Sequence, residues 1–388
     1  KKLQNKKPID LKSLERALLL LNDLPGISGN GVLRQGSEVG SSELLVTINP
    51  PPPTSYVLTL NNGASKTMGQ YSTGINATFN NPDYPSALSF GFSSALKNDD
   101  DQLFNPILKA FNGTYSTSLG DDGLIFSLGG IYAIAKPQGS LKSLGVLSKS
   151  YSLAPRLRYP MKRSRAESYY IEGGLNVARS ETFLLDSSTT KDKLTVFDLV
   201  FSVTNDTWFG GNTQLNFTIA QGLDLFDSRS DSINLPGPSI ANFKQKFLKY
   251  KFSGSHTLPI KKINSKLKIN AQAQWTNDKL LAGEQITFGG PAIGRGYDAG
   301  SIAGERGFGL SFELSKDFFK QEIFNLSLSS YELFAFIDYA EAKILNEPIS
   351  GNPEICSVRA NPLTTSYKSG TIFIETGAPF IDDNNFII

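Results

Sequence analysis

The chain of 388 residues has one cysteine, Cys356, and one histidine, His256. A lone cysteine excludes an internal disulfide framework and any cysteine-built metal site. A lone histidine with no nucleophile or ligand set around it reads as an ordinary strand residue. Charge imbalance is nearly absent, with a formal net of +2, so no basic stripe marks nucleic acid as a partner. Long apolar runs are missing too: the longest is ALLLL, 17–21, against the ~20 residues that a membrane-crossing helix needs. The opening KKLQNKKPID has no apolar core of signal-peptide length, which leaves an intracellular chain or one trimmed ahead of Lys1. The sequence has no Gly-x-Ser-x-Gly elbow and no His-Glu-x-x-His helix. The triplet Asp99-Asp100-Asp101 lacks EF-hand spacing and reads as a solvated outer loop. These gaps argue against an enzyme and against any cofactor or metal.

What the chain does have is glycine, phenylalanine and tyrosine, at 35, 26 and 14 residues. It divides at INPPPPT, 48–54, where consecutive prolines make a stiff extended spacer. Ahead of the spacer, IDLKSLERALLLLNDLPG predicts one amphipathic helix. Asp10 is its N-cap, Leu11, Leu14, Leu18 and Leu21 lie along one face, and Pro25-Gly26 is the stop. Two short strands follow, around Gly31-Val32-Leu33 and over Glu43–Ile48. About fifty residues of this kind are marginal as a free domain and read as the remaining half of a small α+β module.

After the prolines the period changes to two. LSFGFSSAL, YSLAPRLRY, TVFDLVFSV, QLNFTI, LKINAQAQW and GFGLSFELS all alternate apolar with small or polar residues. In LKINAQAQW one face is Leu267, Ile269, Ala271, Ala273 and Trp275, and the other is Lys268, Asn270, Gln272 and Gln274. A soluble sandwich and a transmembrane barrel both give this pattern. Strands of roughly 9 to 16 residues favour the barrel. So do aromatics at strand ends, Tyr159, Tyr169, Tyr170, Trp208, Phe209, Trp275, Phe318 and Phe319. Short turns near NNPDYPS, LGDDG, MKRSRAES, DTWFGG, PIKKINS and SKDFFKQ alternate with longer loops at 223–243 and 278–305. Roughly 15 or 16 strands result, and an even number is the expectation for a bacterial single-chain barrel.

The most glycine-dense stretch, FGGPAIGRGYDAGSIAGERGFG at 288–309, lies in one of the long loops and carries Arg295 at its centre. A phosphate cradle is excluded, because no lysine follows the glycines and the next segment is a strand. Glycine at this density lets a hairpin fold sharply and approach a wall closely.

LLAGEQITFGGPAIGRGYDAGSIAGERG resembles the lid-loop motif of the two-partner secretion transporters, the haemolysin secretion and activation family. LLLLNDLPGISGNGVLRQGSEVGSSELLVTI resembles the end of a polypeptide-transport-associated (POTRA) domain, and RYPMKRSR and TYSTSLGDDG resemble the family's strand-end and turn patterns. The likeness covers nearly the whole chain.

The resemblance implies a mainly β fold: an outer-membrane antiparallel barrel of 16 strands with a POTRA-type segment in the periplasm, in a Gram-negative bacterium. The implied division is 1–49 for the end of a POTRA domain, 50–54 for the linker and 55–388 for the barrel, with a lid loop at 278–305. It also implies a monomer in outer-membrane lipid and lipopolysaccharide, exporting a secreted exoprotein of adhesin or haemolysin type. In such transporters a loop arginine pairs with a strand aspartate. The matching positions are Arg295, Gly296 and Tyr297, with Phe336 and Asp338 in LFAFIDYAEA; Gly294 and Ala340 depart from the usual pattern.

The residues themselves lead to the same pair. Asp338 lies in a stretch apolar on both faces, so its charge needs a counter-ion or water. Alternation puts Phe334, Phe336 and Asp338 on one side, which is then the lumen. Glu313 is a second candidate partner for Arg295, and the alternative is an aspartate hydrated by lumen water with Arg295 outside. For the client, strand residues Leu44, Leu45 and Val46 and helix residues Leu18 and Leu21 are expected to frame an edge and an apolar groove. Besides export without ATP, two readings remain open: an insertase of the same superfamily and a passive porin.

Overall fold

The computed structural model describes residues 10–37, 41–61, 67–69, 71–81, 83–96, 106–230, 235–323, 326–345, 355–356 and 374–376. The Asp99–Asp101 triplet and the terminal NNFII lie outside them. No helix among the described residues is long and apolar enough to cross a membrane, which says nothing of strands.

Helix α1, Leu11–Asp23, begins at Asp10, whose carboxylate accepts the N–H of Lys12 at 3.3 Å. Two strands follow, β1 (Gly29–Gln35) and β2 (Ser42–Ile48), paired antiparallel as a sheet of their own. The helix lies on β1. Glycine permits that approach: a Cβ on Gly31 would stand 2.5 Å from Leu18 Cδ2, and one on Gly29 2.8 Å from Leu21 Cδ2. This corrects the expected groove between helix and β2, because Leu18 and Leu21 are covered by β1. Leu45 and Val46 of β2 stay exposed, and Leu44 is half-buried.

The remaining strands begin after the prolines. They are β3 (Thr54–Asn61), β4 (Tyr71–Asn81), β5 (Ser86–Leu96), β6 (Leu108–Leu119), β7 (Leu124–Ala135), β8 (Leu147–Arg163), β9 (Glu167–Leu184), β10 (Ser187–Asn205), β11 (Asn212–Leu223), β12 (Leu248–Ile260) and β13 (Ser265–Thr276). The short β14 (Ile286–Phe288) and β15 (Ile302–Gly304) pair with each other inside the long loop. The long β16 (Arg306–Ile323) and β17 (Leu326–Leu345) follow, then the fragments β18 (Ile355–Cys356) and β19 (Ile374–Thr376). Consecutive strands from β3 to β13 pair antiparallel, β16 joins β13, and β17 joins β16, in one 15-stranded sheet. Both fragments pair with β17. Among the described residues nothing joins β3 to the β17 side. The expected closed barrel of 16 strands is therefore met as an open sheet of 15, with most of the chain after β17 outside the described residues.

Two local readings change. SKDFFKQ is not a turn, because β16 runs through it, held by the pairs Lys266↔Ser315 and Lys316↔Leu333 and by a Lys266–Asp317 ion pair at 2.5 Å. Ser315 and Asp317 are turn formers by type, but the ladder to β17 continues through both and keeps them extended. Tyr170 is no part of an outward aromatic belt. It stacks on Arg158 at 3.9 Å, on the polar side of its strand, whereas its neighbour Tyr169 stacks with the exposed Phe201.

The outward face of the sheet is apolar and exposed, as in Phe197, Leu199 and Phe201 of β10 or Phe308, Phe312 and Leu314 of β16. The fully buried large side chains are not in a sheet-on-sheet core. Phe288 and Ile293 belong to the loop between β13 and β16, Leu280 lies at its base, and Phe247 ends the loop before β12. Burial is concentrated where the loops pack against the inner wall.

The helix end of the chain meets the short-turn side of the sheet. Arg163, the last residue of β8, clamps the Asp23 carboxylate with Nε at 2.7 Å and a terminal nitrogen at 2.9 Å. Arg16 donates to the Pro160 carbonyl at 2.9 Å, and the Arg165 N–H donates to Glu15 at 2.7 Å.

Candidate functional site

The loop between β13 and β16 turns back on itself through glycines in left-handed conformations, Gly289 at φ +107° and Gly294 at +92°. Three main-chain hydrogen bonds close its tip: Gly289 N–H to Ile293 O at 3.0 Å, Gly290 N–H to Tyr297 O at 2.9 Å, and Tyr297 N–H to Gly294 O at 3.0 Å. Phe288 and Ile293 press on β17 at Ala340 and Ala342, with Tyr297 packed beside them. They also cover β16 at Gly309, where a Cβ would come within 2.5 Å of the Phe288 ring and 3.1 Å of Ile293. Small residues on the wall thus make the seat, and Ala340 is part of it.

Arg295 is delivered to the wall by this fold. Its Nε donates to Asp338 Oδ2 at 3.1 Å and a terminal nitrogen donates to Oδ1 at 3.0 Å. The same terminal nitrogen reaches Ser311 Oγ at 2.9 Å, and the other nitrogen pairs with Glu313. The guanidinium lies 3.6 Å from the centre of the Phe336 ring. Asp338 is further held by the N–H groups of Gly294 at 2.9 Å and Arg295 at 3.0 Å. Asp338 and Ser311 are buried, at 5% and 0% exposure. Burial disfavours the charge on Arg295, and the hydrogen bonds it donates to Asp338 and then to Glu313 outweigh that, holding its pKa above the usual arginine value.

Of the residues singled out in the sequence, Arg295, Phe336, Asp338 and Glu313 meet here, and Tyr297 braces the turn. Gly296 does not take part sterically: a Cβ there would meet nothing within 4 Å. The demanding glycine is Gly294, at positive φ and bonded to Asp338, which is where the chain departs from the expected branched residue. Leu44, Leu45, Val46, Leu18 and Leu21 lie far along the chain in the separate β1–β2 sheet and its helix.

A second cluster holds the base of the loop. The Lys249 side chain, 5% exposed, pairs with Glu284 at 2.6 Å and donates to the Glu284 carbonyl at 2.8 Å. Gln274 donates to the carbonyls of Glu284 and Glu305, both at 3.0 Å. Glu305, with no exposed surface, accepts from Gln285 at 2.9 Å and from the Leu345 N–H at 2.9 Å. No single motif marks these residues, since lysine and glutamine on an alternating strand read as its polar face. Beside them is a polar cavity of about 560 Å³ lined by Arg156, Asp198, Lys251 and Gln272 among others. Arg156 bridges Glu172 at 3.0 Å and Asp198 at 3.2 Å across that wall. His256 sits elsewhere, bonded through Nδ1 to Thr213 at 2.9 Å.

The haemolysin secretion/activation protein family ShlB/FhaC/HecB matches residues 40–351, which include the arginine, its loop and both strands of the wall. The chain belongs to that family. Its members are outer-membrane β-barrel transporters of two-partner secretion, not enzymes. The heme/hemopexin transporter protein HuxB of Haemophilus influenzae is 23% identical over 386 residues, 96% of this chain and 64% of HuxB. The chain thus spans just under two thirds of the curated relatives it matches. Among solved structures, CdiB from Escherichia coli superposes with a TM-score of 0.70 at 21% identity, over 89% of this chain and 62% of CdiB. BamA from Haemophilus ducreyi, lacking POTRA domains 1–3, gives 0.51 at 14% identity, over 90% of this chain and 75% of BamA. These likenesses describe the fold.

Proposed function

We propose that this protein exports an unfolded secreted polypeptide across the outer membrane through the lumen of its barrel, with the β13–β16 loop as a plug that must leave the wall. The observation that carries this reading is the coordination of Arg295. One loop side chain has four polar contacts and a ring face on two neighbouring wall strands, so a single residue ties the tip of the loop to both. The base of the loop is held independently by Lys249, Glu284 and Glu305, so the plug has a tip anchor and a stem anchor.

In this reading α1, β1 and β2 belong to a periplasmic POTRA-type segment, and the long loops face outward. The client adds as a strand along β2, where main-chain groups give affinity and the exposed Leu45 and Val46 give side-chain selection. Export proceeds without ATP, drawing on folding of the client outside the cell, as the absence of any nucleotide motif supports. The test is reconstitution: purified protein in liposomes, client supplied on the α1 side, no nucleotide. Export under these conditions is expected, and a strict requirement for added ATP would contradict the reading. An insertase remains the second reading, favoured by the likeness to BamA. It predicts that the purified protein speeds membrane insertion of an unfolded barrel protein.

A further inference from the structure

The outward surface beside the loop carries a separate site. Arg306 opens β16 and stands directly opposite Lys343 of β17. Both share the outward face with Phe308 and Tyr339, by the alternation of their strands. Like charges directly opposite across an antiparallel pair repel. Lys343 is relieved in part by Glu341 at 3.4 Å. Arg306 has no carboxylate within ion-pair distance among the described residues. Its guanidinium is instead aimed by neutral acceptors, Asn277 Oδ1 at 2.6 Å and the Thr276 carbonyl, and stacks over Trp275 at 4.0 Å.

These cations border a groove of about 290 Å³ lined by Phe217, Tyr250, Phe252, Trp275 and Phe308. On a lipid-facing wall an unneutralised cation is costly unless it lies at the interface or meets an anion. A groove of rings with a fixed guanidinium and an ammonium at one end fits an amphiphile whose head is anionic and whose tail is acyl. Arginine in particular suits phosphate, because its planar fork matches two oxygens.

We propose that this groove binds a phosphorylated, multiply acylated glycolipid of the outer leaflet, of the lipopolysaccharide class. Its phosphate lies between Arg306 and Lys343, and an acyl chain runs along Phe217, Tyr250 and Phe308. Among the described residues that line the groove, Glu341 is the one carboxylate, and it pairs with Lys343. The choice of leaflet rests on the orientation proposed above, whereas the chemistry of the site does not. The position has a consequence for the loop: Arg306 directly follows Glu305, so the lipid contact is one peptide bond from the stem anchor.

The test uses delipidated full chain in detergent, titrated with bisphosphorylated lipid A, with its dephosphorylated form and with phosphatidylglycerol, read by native mass spectrometry. The bisphosphorylated form is expected to bind about tenfold more tightly than either other lipid. That preference should disappear in Arg306→Gln/Lys343→Gln and weaken in Lys343→Gln alone. The single variant leaves the contacts of Arg306 to Thr276 and Asn277 in place, which guards against a loss of fold. Equal binding of the phosphorylated and dephosphorylated forms, or a preference that survives the double substitution, overturns the site. Equal binding of phosphatidylglycerol overturns the glycolipid assignment. Labelling of the long loops on intact cells tests the orientation separately.

Discussion

Gly294 and Asp338 are joined by a hydrogen bond of 2.9 Å from the glycine N–H to the same carboxylate oxygen that the Arg295 N–H reaches at 3.0 Å. The aspartate thus grips the loop backbone as well as the guanidinium. The geometry depends on Gly294 standing at φ +92°, a conformation that costs other residues roughly 1–2 kcal/mol. Gly294→Ala is expected to loosen the tip, and Gly296→Ala, with open space around its position, to leave it unchanged. Protease clipping of the loop in detergent compares the two; equal clipping rates would show that backbone grip is irrelevant.

The stem anchor gives a second expectation. Lys249→Met leaves the Glu284 carboxylate without its cation in a largely enclosed place, a change costing about 3–5 kcal/mol in comparable buried pairs. The base of the loop should then be clipped faster. Lys249→Met/Glu284→Met removes both charges and should recover part of the resistance. If the single variant is as resistant as the parent, the pair does not hold the stem.

Much of this site was legible in the sequence, for a physical reason particular to each residue. Asp338 stands out because a charge in a strand apolar on both faces demands a partner, and Glu313 because it lies on the polar face of the neighbouring strand. Ser311 and Lys249 are silent, since a serine or lysine at an alternating position looks like any wetted residue, and only the loop's path buries them. Leu18 and Leu21 mislead in the other direction. Their apolar stripe is real, but Gly29 and Gly31 let β1 cover it, and glycine in a short strand gives no warning of that. The end of β16 fails for a similar reason: Asp317 reads as a turn residue until Lys266, 51 positions earlier in the chain, is seen to pair with it.

The exposed β2 supplies a test of client capture. Leu45→Pro removes a main-chain donor from the strand and disfavours its extended pairing. Client binding, measured on the purified protein by fluorescence anisotropy, should fall by about tenfold or more. The heat-modifiable migration of the sheet should not change, because β1 and β2 form a sheet of their own. Unchanged affinity would place capture elsewhere.

Docking of the helix segment rests on the fork of Arg163 on Asp23, with side chains only 20% and 23% exposed. Arg163→Ala should weaken that docking by roughly 1.5–3 kcal/mol, the range for hydrogen bonds to charged groups. Arg163→Lys should restore little of it, since an ammonium cannot span both carboxylate oxygens. Distances between spin labels on α1 and β8 report the result, and a distribution that stays narrow in Arg163→Ala would contradict the assignment.

The central claim is that Arg295 and Asp338 act as one unit that keeps the loop on the wall. It is tested most directly by a double-mutant cycle on the plugged–open equilibrium, read from single-channel conductance in planar bilayers for Arg295→Ala, Asp338→Ala and the double variant. Each single substitution should shift the protein toward the open, high-conductance state. The double variant should shift it by much less than the sum, giving a coupling energy of about 1–3 kcal/mol. Strictly additive effects, or single variants with the conductance of the parent, would contradict the account.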